Sequence, residues 1–254
     1  RKSVAKFKNT FNNELKTLER EEAFNFFNEK VKDIISGICV DATSDYALFS
    51  IGKSTFVSLS KDDIIPGEVL KRGDRRKLYI TKVEKTTKGP KVSASRTCKE
   101  FVIKLFELNI PEIKDGSIEL MGISRIPGSR SKVGVMAIKP NLDARGSCIG
   151  AGGLRIKSIT DELNQEKIDV FLWKTDPVDL IAQSLLPARS LSVVIQSTKP
   201  KQALVICTDE QYSLAIGKGG QNVRLACFAC SWKIDVKKLS DALKEGIDFT
   251  YNVY

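Results

Sequence analysis

The chain has 254 residues, 42% of them hydrophobic, and its 41 Lys and Arg against 31 Asp and Glu give a net charge of +10. This length and apolar content predict two or three small folded domains and exclude a wholly disordered chain. The excess of positive charge favours a polyanion such as a nucleic acid as partner, although a basic surface without such a partner would give the same count.

The residue types exclude several kinds of site. The chain has no histidine, which removes Ser-His-Asp and Cys-His mechanisms, and no group of carboxylates is arranged for catalysis, so we expect a protein that is not an enzyme. No apolar run is long enough for a membrane span, so no membrane association is predicted. The six scattered cysteines, without a secretory signal, indicate a reducing, cytoplasmic location.

Residues 1–30 predict a helix. Apolar residues recur there at steps of three and four and form one stripe: Val4, Phe7, Phe11, Leu15 and Leu18. The chain begins with neither a methionine nor a capping residue, so we expect a helix cut part-way along its length, in a chain that is part of something longer.

Residues 33–97 change to a period typical of β-strands. Five short runs are separated by turn residues: DIISGICVDA, YALFSI, STFVSL, RKLYITKVE and PKVSAS. They predict a small Greek-key barrel of the OB type. A basic segment of the barrel, which is either a solvated loop or a patch for a nucleic-acid backbone, carries Lys71, Arg72, Arg75, Arg76 and Lys77.

An internal repeat dominates the rest of the chain. Residues 148–170 read CIGAGGLRIKSITDELNQEKIDV, and residues 215–236 read AIGKGGQNVRLACFACSWKIDV. In each copy a glycine loop follows a strand, leads into a helix that carries an arginine (Arg155 or Arg224), and is followed by the strand sequence Lys-Ile-Asp-Val. This matched order predicts two copies of one α+β module in tandem after the barrel.

The two glycine loops, Gly150–Gly153 (the first loop) and Gly217–Gly220 (the second loop), do not fit the nucleotide-binding patterns. Lys218 is followed by glycine rather than by the Ser or Thr of a P-loop, and Asn222 stands where the dinucleotide fingerprint needs its third glycine. A tight turn between two helices would also use glycine. A G-x-x-G between two helices is typical of the KH module, which clamps about four nucleotides of single-stranded RNA or DNA.

Glycine suits that role because a residue without Cβ lets a sugar–phosphate backbone approach closely, while the helix N-terminus that follows favours an anion. Lys218 adds a cation to the second loop. The candidate RNA-binding residues are the two loops and basic or polar residues elsewhere in the two modules: Gly150, Ala151, Gly152, Gly153, Arg155, Gly217, Lys218, Gly219, Gly220, Gln221, Arg224, Arg130, Lys132 and Arg145.

Cys227 and Cys230 form a C-x-x-C motif. A zinc site would need a second pair of ligands nearby, and a redox motif would need a strand before the helix. Burial of both residues on the inner face of a helix is favoured, and no metal or cofactor is predicted.

The order of a barrel followed by two KH modules resembles the NusA family of bacterial transcription elongation and termination factors. The similarity covers nearly the whole chain and includes EREEAFNFFNEKVKDIISGICV, IPGEVLKRGDRRKLYITKVEKTTKGPKVSASRT, LFELNIPEIKDGSIELMGISRIPGSRSKVGV, DPVDLIAQSLLPARSLSVVI and SLAIGKGGQNVRLA. The resemblance implies an α+β multidomain fold: an N-terminal helix, an S-1-type OB-fold β-barrel, then two type II KH domains in tandem.

The resemblance also implies partners and domain bounds. The partners are nascent single-stranded RNA, RNA polymerase and other termination or antitermination factors, with effects on pausing, termination and antitermination. In the family, a polymerase-docking domain precedes the helix, and we expect a monomer. The expected segments are a helical segment at 1–32, the S-1-type barrel at 33–98, the first KH domain at 99–176, the second at 177–246 and a tail at 247–254.

The chain departs from the family pattern in two places. The family usually has a lysine where Gly152 stands, so the first loop should attract phosphate less strongly. The barrel lacks the clustered surface aromatics of typical S-1 barrels. Phe49, Phe56 and Tyr79 could stack on bases, but alternating strands place them in the core at least as well, so we expect the barrel to contribute mainly charge.

Two other functions fit parts of the pattern. A phosphorolytic exoribonuclease also combines KH and S-1 modules, but there a single KH normally precedes the barrel. A structural ribosome-associated protein with degenerate KH modules is disfavoured by the two intact G-x-x-G loops. Single-strand binding would distinguish this last alternative from the leading interpretation.

Overall fold

The structure is a computed structural model that describes residues 2–252. Residue 1 of the predicted helical segment and residues 253 and 254 of the predicted tail lie outside the described residues. The chain divides into two compact units, Arg1–Lys104 and Leu105–Tyr254. No helix in the described part is both long and apolar enough to cross a membrane.

The first unit begins with helix α1, Lys2–Asn28, as the apolar periodicity predicts. The end of α1 packs on the barrel, where Ala23 and Phe27 are buried in its core. The apolar stripe nearer the start of α1 is uncovered in this structure, because its five members, Val4 to Leu18, are 44% to 74% exposed. The 3.6-residue period therefore predicts the helix but not what covers its apolar side.

Five strands form the barrel of the first unit. Their bounds are β1 Ile34–Ala42, β2 Tyr46–Gly52, β3 Thr55–Ser60, β4 Arg75–Thr86 and β5 Gly89–Ser95. They are hydrogen-bonded in the order β3-β2-β1-β4-β5, all neighbours are antiparallel, and β3 also approaches β5. The sheet thus closes into a nearly complete OB-like barrel, which confirms the predicted fold class.

The aromatic and basic residues of the barrel differ in burial and in ion pairing. Phe49 and Tyr79 are buried, whereas Phe56 is 54% exposed. Arg76 forms ion pairs of 3.3 Å with both Glu68 and Asp74. Part of the basic segment therefore stabilises the barrel itself, while its exposed residues are Lys71, Arg72 and Arg75.

The second unit holds two modules with the same order of elements, preceded by α2 (Lys99–Asn109), which spans the division between the units. The first module contains α3 Pro111–Lys114, β6 Ile118–Ile126, β7 Arg130–Ala137, α4 Ala144–Ile149, α5 Leu154–Glu162 and β8 Lys167–Leu172. The second contains α6 Pro177–Ser184, β9 Ser192–Thr198, β10 Lys201–Cys207, α7 Asp209–Ile216, α8 Gln221–Cys230 and β11 Lys233–Lys238, and is followed by α9 Leu239–Lys244.

The two module sheets share topology and register. In each sheet the first two strands are antiparallel and the third lies parallel to the second. Val133 pairs with Val170 in the first sheet, as Val205 pairs with Val236 in the second. The repeat seen in the sequence is therefore a repeat in structure, and the mixed sheet is that of a type II KH domain.

The modules pack directly on each other within the second unit. Helix α8 lies against β6 and β7 of the first module, where Ser124 Oγ donates to the Leu225 carbonyl at 2.6 Å. A Cβ on Gly122 would lie 2.1 Å from the Ala229 carbonyl oxygen, so glycine is required for this close approach. The matching face of the second sheet is covered by α9 and the segment after it, in a cluster that contains Leu204, Ile206, Ala242, Ile247 and Phe249.

Candidate nucleic-acid interface

The first and second loops have almost the same backbone conformation. Their first residues have φ of 77° and 76° with ψ of 169° and 168°, their third residues both have φ of 60°, and their fourth residues both have φ of 75° and ψ of 14°. These conformations favour glycine over residues with a Cβ. Two different sequences, GAGG and GKGG, therefore trace one path because their glycines coincide.

The first glycine of each loop also has a packing role. A Cβ on Gly217 would lie 2.8 Å from the backbone nitrogen of Asn222, and one on Gly150 would lie 2.8 Å from Cγ of Arg155. The third positions, Gly152 and Gly219, have nothing within 4 Å of such a Cβ. The loop thus turns tightly onto the next helix at its start and is open to solvent at its tip.

Each loop ends at the N-terminus of a helix. Gly153 and Gly220 are the N-cap residues of α5 and α8, and neither cap has a side-chain hydrogen bond. In the described structure, the first turns of α5 and α8 contain no acidic residue. The free N–H groups and the helix dipole therefore favour an anion at each loop, by about 0.3–1 kcal/mol when exposed.

The charged side chains near the two loops differ. Lys218 and Arg224 are exposed, and within residues 2–252 neither side chain has a hydrogen-bond or ion-pair partner. Near the first loop, Arg155 is 34% exposed, forms an ion pair of 2.9 Å with Glu112 and donates to the Ser147 carbonyl at 2.7 Å. The second loop and its following helix α8 therefore offer two unpaired cations, whereas the charge of Arg155 is already balanced.

Counting from the loops shows that the two arginines do not occupy matching positions. Arg155 lies five residues after Gly150, and the residue five after Gly217 is Asn222, not Arg224. Asn222 is buried, and its Nδ2 donates to the carbonyls of Leu185 at 3.1 Å and Ala215 at 2.9 Å. Arg155 and Asn222 thus have the same task, which is to tie the loop's second helix to the helix before it.

The side chains of the remaining candidate residues are already hydrogen-bonded within the protein, although Gln221 directly follows the second loop. Arg130 makes a two-bond ion pair with Asp169, at 2.6 and 3.0 Å. Arg145 is exposed but donates through Nε to the Val170 carbonyl. Gln221 is half-buried, and its Oε1 accepts from Ser129 Oγ across the contact between the two modules.

The position of Lys132 contradicts its predicted place in the interface. Its side chain is fully buried, and Nζ donates to the Leu186 carbonyl at 2.6 Å and to Asp169 at 3.2 Å. Burial lowers the pKa of Lys132 from 10.5 to about 8, although Asp169 acts in the opposite direction. A side chain with no exposed surface cannot meet an RNA, so we remove Lys132 from the candidate interface.

Comparison with known proteins agrees with this arrangement. Residues 96–173 match the family model of the NusA-like first KH domain, and residues 177–244 match that of the NusA-like second KH domain. The transcription termination/antitermination protein NusA of Bacillus subtilis is 43% identical to the chain over 229 residues, which are 90% of this chain and 61% of that protein. The chain belongs to the NusA family.

Other NusA relatives show the same extent of similarity. The proteins of Halalkalibacterium halodurans and Thermus thermophilus are 42% and 36% identical, over 90% and 92% of this chain and 59% and 62% of their own lengths. The chain therefore spans about three-fifths of these NusA proteins. All three carry the name transcription termination/antitermination protein, which describes regulators of transcription rather than enzymes.

Two residues that the sequence analysis did not single out lie on α8, the helix that follows the second loop of this NusA-family chain. Asn222 could be found from the repeat, because it aligns with Arg155. Phe228 lies one turn after Arg224 on α8 and is 72% exposed, which a count of apolar residues on a helix does not predict.

The C-x-x-C motif of this NusA-family chain lies at the end of α8. Cys230 is buried and Cys227 is half-buried, and burial raises the pKa of the Cys230 thiol to about 11. Among the described residues no group of three or more His, Cys, Asp or Glu could hold a metal ion. The packing of Cys230 in the core shared with Trp232 is that of a small apolar residue.

Proposed function

We propose that the chain binds single-stranded RNA through its two G-x-x-G loops, with the second loop as the stronger contact. The observation that carries this proposal is the shared loop conformation, in which three glycines lead into a helix N-terminus without an acidic side chain. In the second module the exposed cations Lys218, in the loop, and Arg224, on α8, add charge where phosphates would lie.

The binding mode follows from the geometry of the loops. The sugar–phosphate backbone passes over the loop tip, where Gly219 leaves open space, and its phosphates face the free N–H groups of α8. The first loop holds the strand in the same way but without a cation of its own. Arg145 and the exposed barrel residues Lys71, Arg72 and Arg75 extend the positive surface in their respective units.

The wider role is that of the RNA-binding part of a transcription factor. The names of the NusA relatives support a function in termination and antitermination, and we propose a cytoplasmic location beside the bacterial transcription machinery. We propose RNA polymerase and other termination or antitermination factors as partners, modulation of pausing as one effect, and a monomeric state. We propose the same domain bounds as in the sequence analysis, with the barrel at 33–98 and the KH domains at 99–176 and 177–246.

A binding titration tests the proposal. Fluorescence anisotropy of a short labelled single-stranded RNA, and of the same sequence as a duplex, would be followed at two salt concentrations. We expect a preference for the single strand, and a log–log salt slope of about −0.7 for each phosphate neutralised. Equal affinity for both forms, or a flat salt response, would contradict recognition by KH loops.

A transcription assay tests the wider role. Single-round transcription by purified bacterial RNA polymerase would use a template with one pause site and one intrinsic terminator. We expect the chain to change pausing or read-through, and we expect the double variant Lys218→Asp/Gly219→Asp to lose part of that change. If both proteins leave transcription unaltered while RNA binding differs, the transcription role is wrong for this chain.

A further inference from the structure

Helix α8 carries an exposed aromatic residue on the line that leads away from the second loop. Phe228 is 72% exposed, and within residues 2–252 it makes no ring–ring or cation–π contact. Arg224, four residues earlier, is also exposed, so the two side chains are neighbours on one face of the helix. At 1.5 Å per residue, Phe228 lies about 12 Å along the helix from Gly220.

Two other faces of α8 pack against the first module and against the sheet of the second module, and Phe228 lies on neither of them. One face meets the first module, where the Leu225 carbonyl accepts from Ser124. Another meets the second module's own sheet, where Cys227 Sγ accepts from the backbone N–H of Ile234 at 3.4 Å. Phe228 contributes to neither contact surface, so the folded chain does not need its ring for the packing of α8.

The matched residue of the first module has different chemistry. Eleven residues after the start of each loop, the first module has Asp161 and the second has Phe228. Asp161 forms an ion pair with Lys157, which itself matches Arg224. The first module thus neutralises its cation at this face, and the second leaves an unpaired cation beside an exposed aromatic ring.

We propose that Phe228 is a stacking platform for one base of the RNA strand that the second loop holds. This inference rests on the proposed function and adds to it a contact to a base rather than to the backbone. Aromatic rings accept any base, because every base has a flat π face. Arg224 neutralises a phosphate beside the stacked base, and the position of the ring is within reach of the four nucleotides that a KH module clamps.

The test compares three variants in the single-strand titration. Phe228→Ala removes the ring, Phe228→Tyr keeps it, and Phe7→Ala makes the same deletion at an exposed Phe of α1 that is 74% exposed. We expect Phe228→Ala to weaken binding about fivefold or more, from the range known for stacking on one base. We expect Phe228→Tyr to bind nearly as tightly as the wild type, Phe7→Ala to be unchanged, and the salt slope of all three to stay the same.

A set of RNAs with one abasic nucleotide locates the contact. For the wild-type chain, one abasic position should weaken binding by a factor similar to that of Phe228→Ala. In the Phe228→Ala chain the same abasic position should cause little further loss, because the two changes remove one interaction. Losses that multiply at every position would mean that the ring does not stack on a base, and would overturn the inference.

The outcomes separate this inference from the proposed function. If the wild type prefers single-stranded RNA and Phe228→Ala binds equally well, the platform is wrong while RNA binding by the loops stands. If the wild type has no preference for single strands, the proposed function itself fails. If Phe228→Ala binds RNA normally but loses its effect on transcription, the ring contacts a protein, and the inference is also overturned.

Discussion

The first and second loops follow the same backbone path but have different side chains around them. Their matched residues agree in φ within 1° at the first, third and fourth positions. Their surroundings differ, since the second loop has the exposed Lys218 and the first has Ala151 at that place. The glycines therefore set the path of the loop, and the residues around it set how strongly it can attract a phosphate.

The support behind the two loops differs as well. The first module uses a charged residue, Arg155, held by Glu112 and the Ser147 carbonyl. The second uses the neutral Asn222, which bonds to two backbone carbonyls in the buried interior. The first module thus uses a cation for internal support, whereas the second uses a neutral residue there and has Lys218 and Arg224 exposed at its surface.

The largest expected effect comes from the first glycine of each loop. Gly217→Ala should lower the free energy of unfolding by about 3 kcal/mol, because its conformation is almost restricted to glycine and the new Cβ would meet backbone atoms of Asn222. Gly150→Ala should cost less, since the Arg155 side chain can move. Urea unfolding followed by the fluorescence of the two tryptophans, Trp173 and Trp232, measures the difference. Equal losses would mean that the two loops are supported alike.

The next largest effect is expected from the residues that support the loops, whose replacement should lower stability by different amounts. Asn222→Ala leaves the buried carbonyls of Leu185 and Ala215 without this donor, which should cost about 2 kcal/mol. Arg155→Ala should cost less, because Arg155 is 34% exposed and water can replace its hydrogen bonds. Thermal unfolding of the two variants side by side checks this order. A greater loss for Arg155→Ala would show that the ion pair with Glu112 is the stronger support.

Negative charge at the loop tips should weaken RNA binding more in the second module than in the first. Lys218→Asp/Gly219→Asp should weaken single-strand binding at least tenfold, which is about 1.4 kcal/mol, because it removes a cation and places two anions against phosphate. The matched change Ala151→Asp/Gly152→Asp should weaken binding less, since no cation is lost. Anisotropy titration measures both, with circular dichroism as the control for folding. Unchanged affinity in the folded second-loop variant would contradict its role.

The smallest expected effect is an increase in RNA affinity. Ala151→Lys gives the first loop the cation that the second loop has, and the exposed tip leaves room for it. We expect affinity for single-stranded RNA to rise about two- to fivefold, and the salt slope to steepen by about 0.7. The same titration at several salt concentrations detects both changes. A variant with unaltered slope would show that the strand does not reach the first loop closely.

Local patterns in the sequence predicted much of the fold. The five predicted barrel runs correspond to β1 to β5 within a residue or two at each end, because alternation and turn residues are local signals. The repeat around the two loops also predicted two similar modules, since matched helices, glycines and Lys-Ile-Asp-Val strands give matched elements. The candidate site was only partly predictable: Asn222 follows from its alignment with Arg155 in the repeat, whereas the burial of Lys132 depends on contacts with Leu186 and Asp169, which are distant in the chain.

The sequence by itself determined the elements, the two glycine loops and their order, because periodicity and glycine conformation act over a few residues. The tertiary structure alone decided which polar side chains are free. Lys132 looks like a surface cation in an alternating strand, yet the second module covers that face and buries it. Arg155 looks like a phosphate ligand, yet Glu112 from another helix balances its charge. Burial and ion pairing depend on residues that only folding brings together, and these contacts leave Lys218 and Arg224 as the exposed cations of the second loop and its helix.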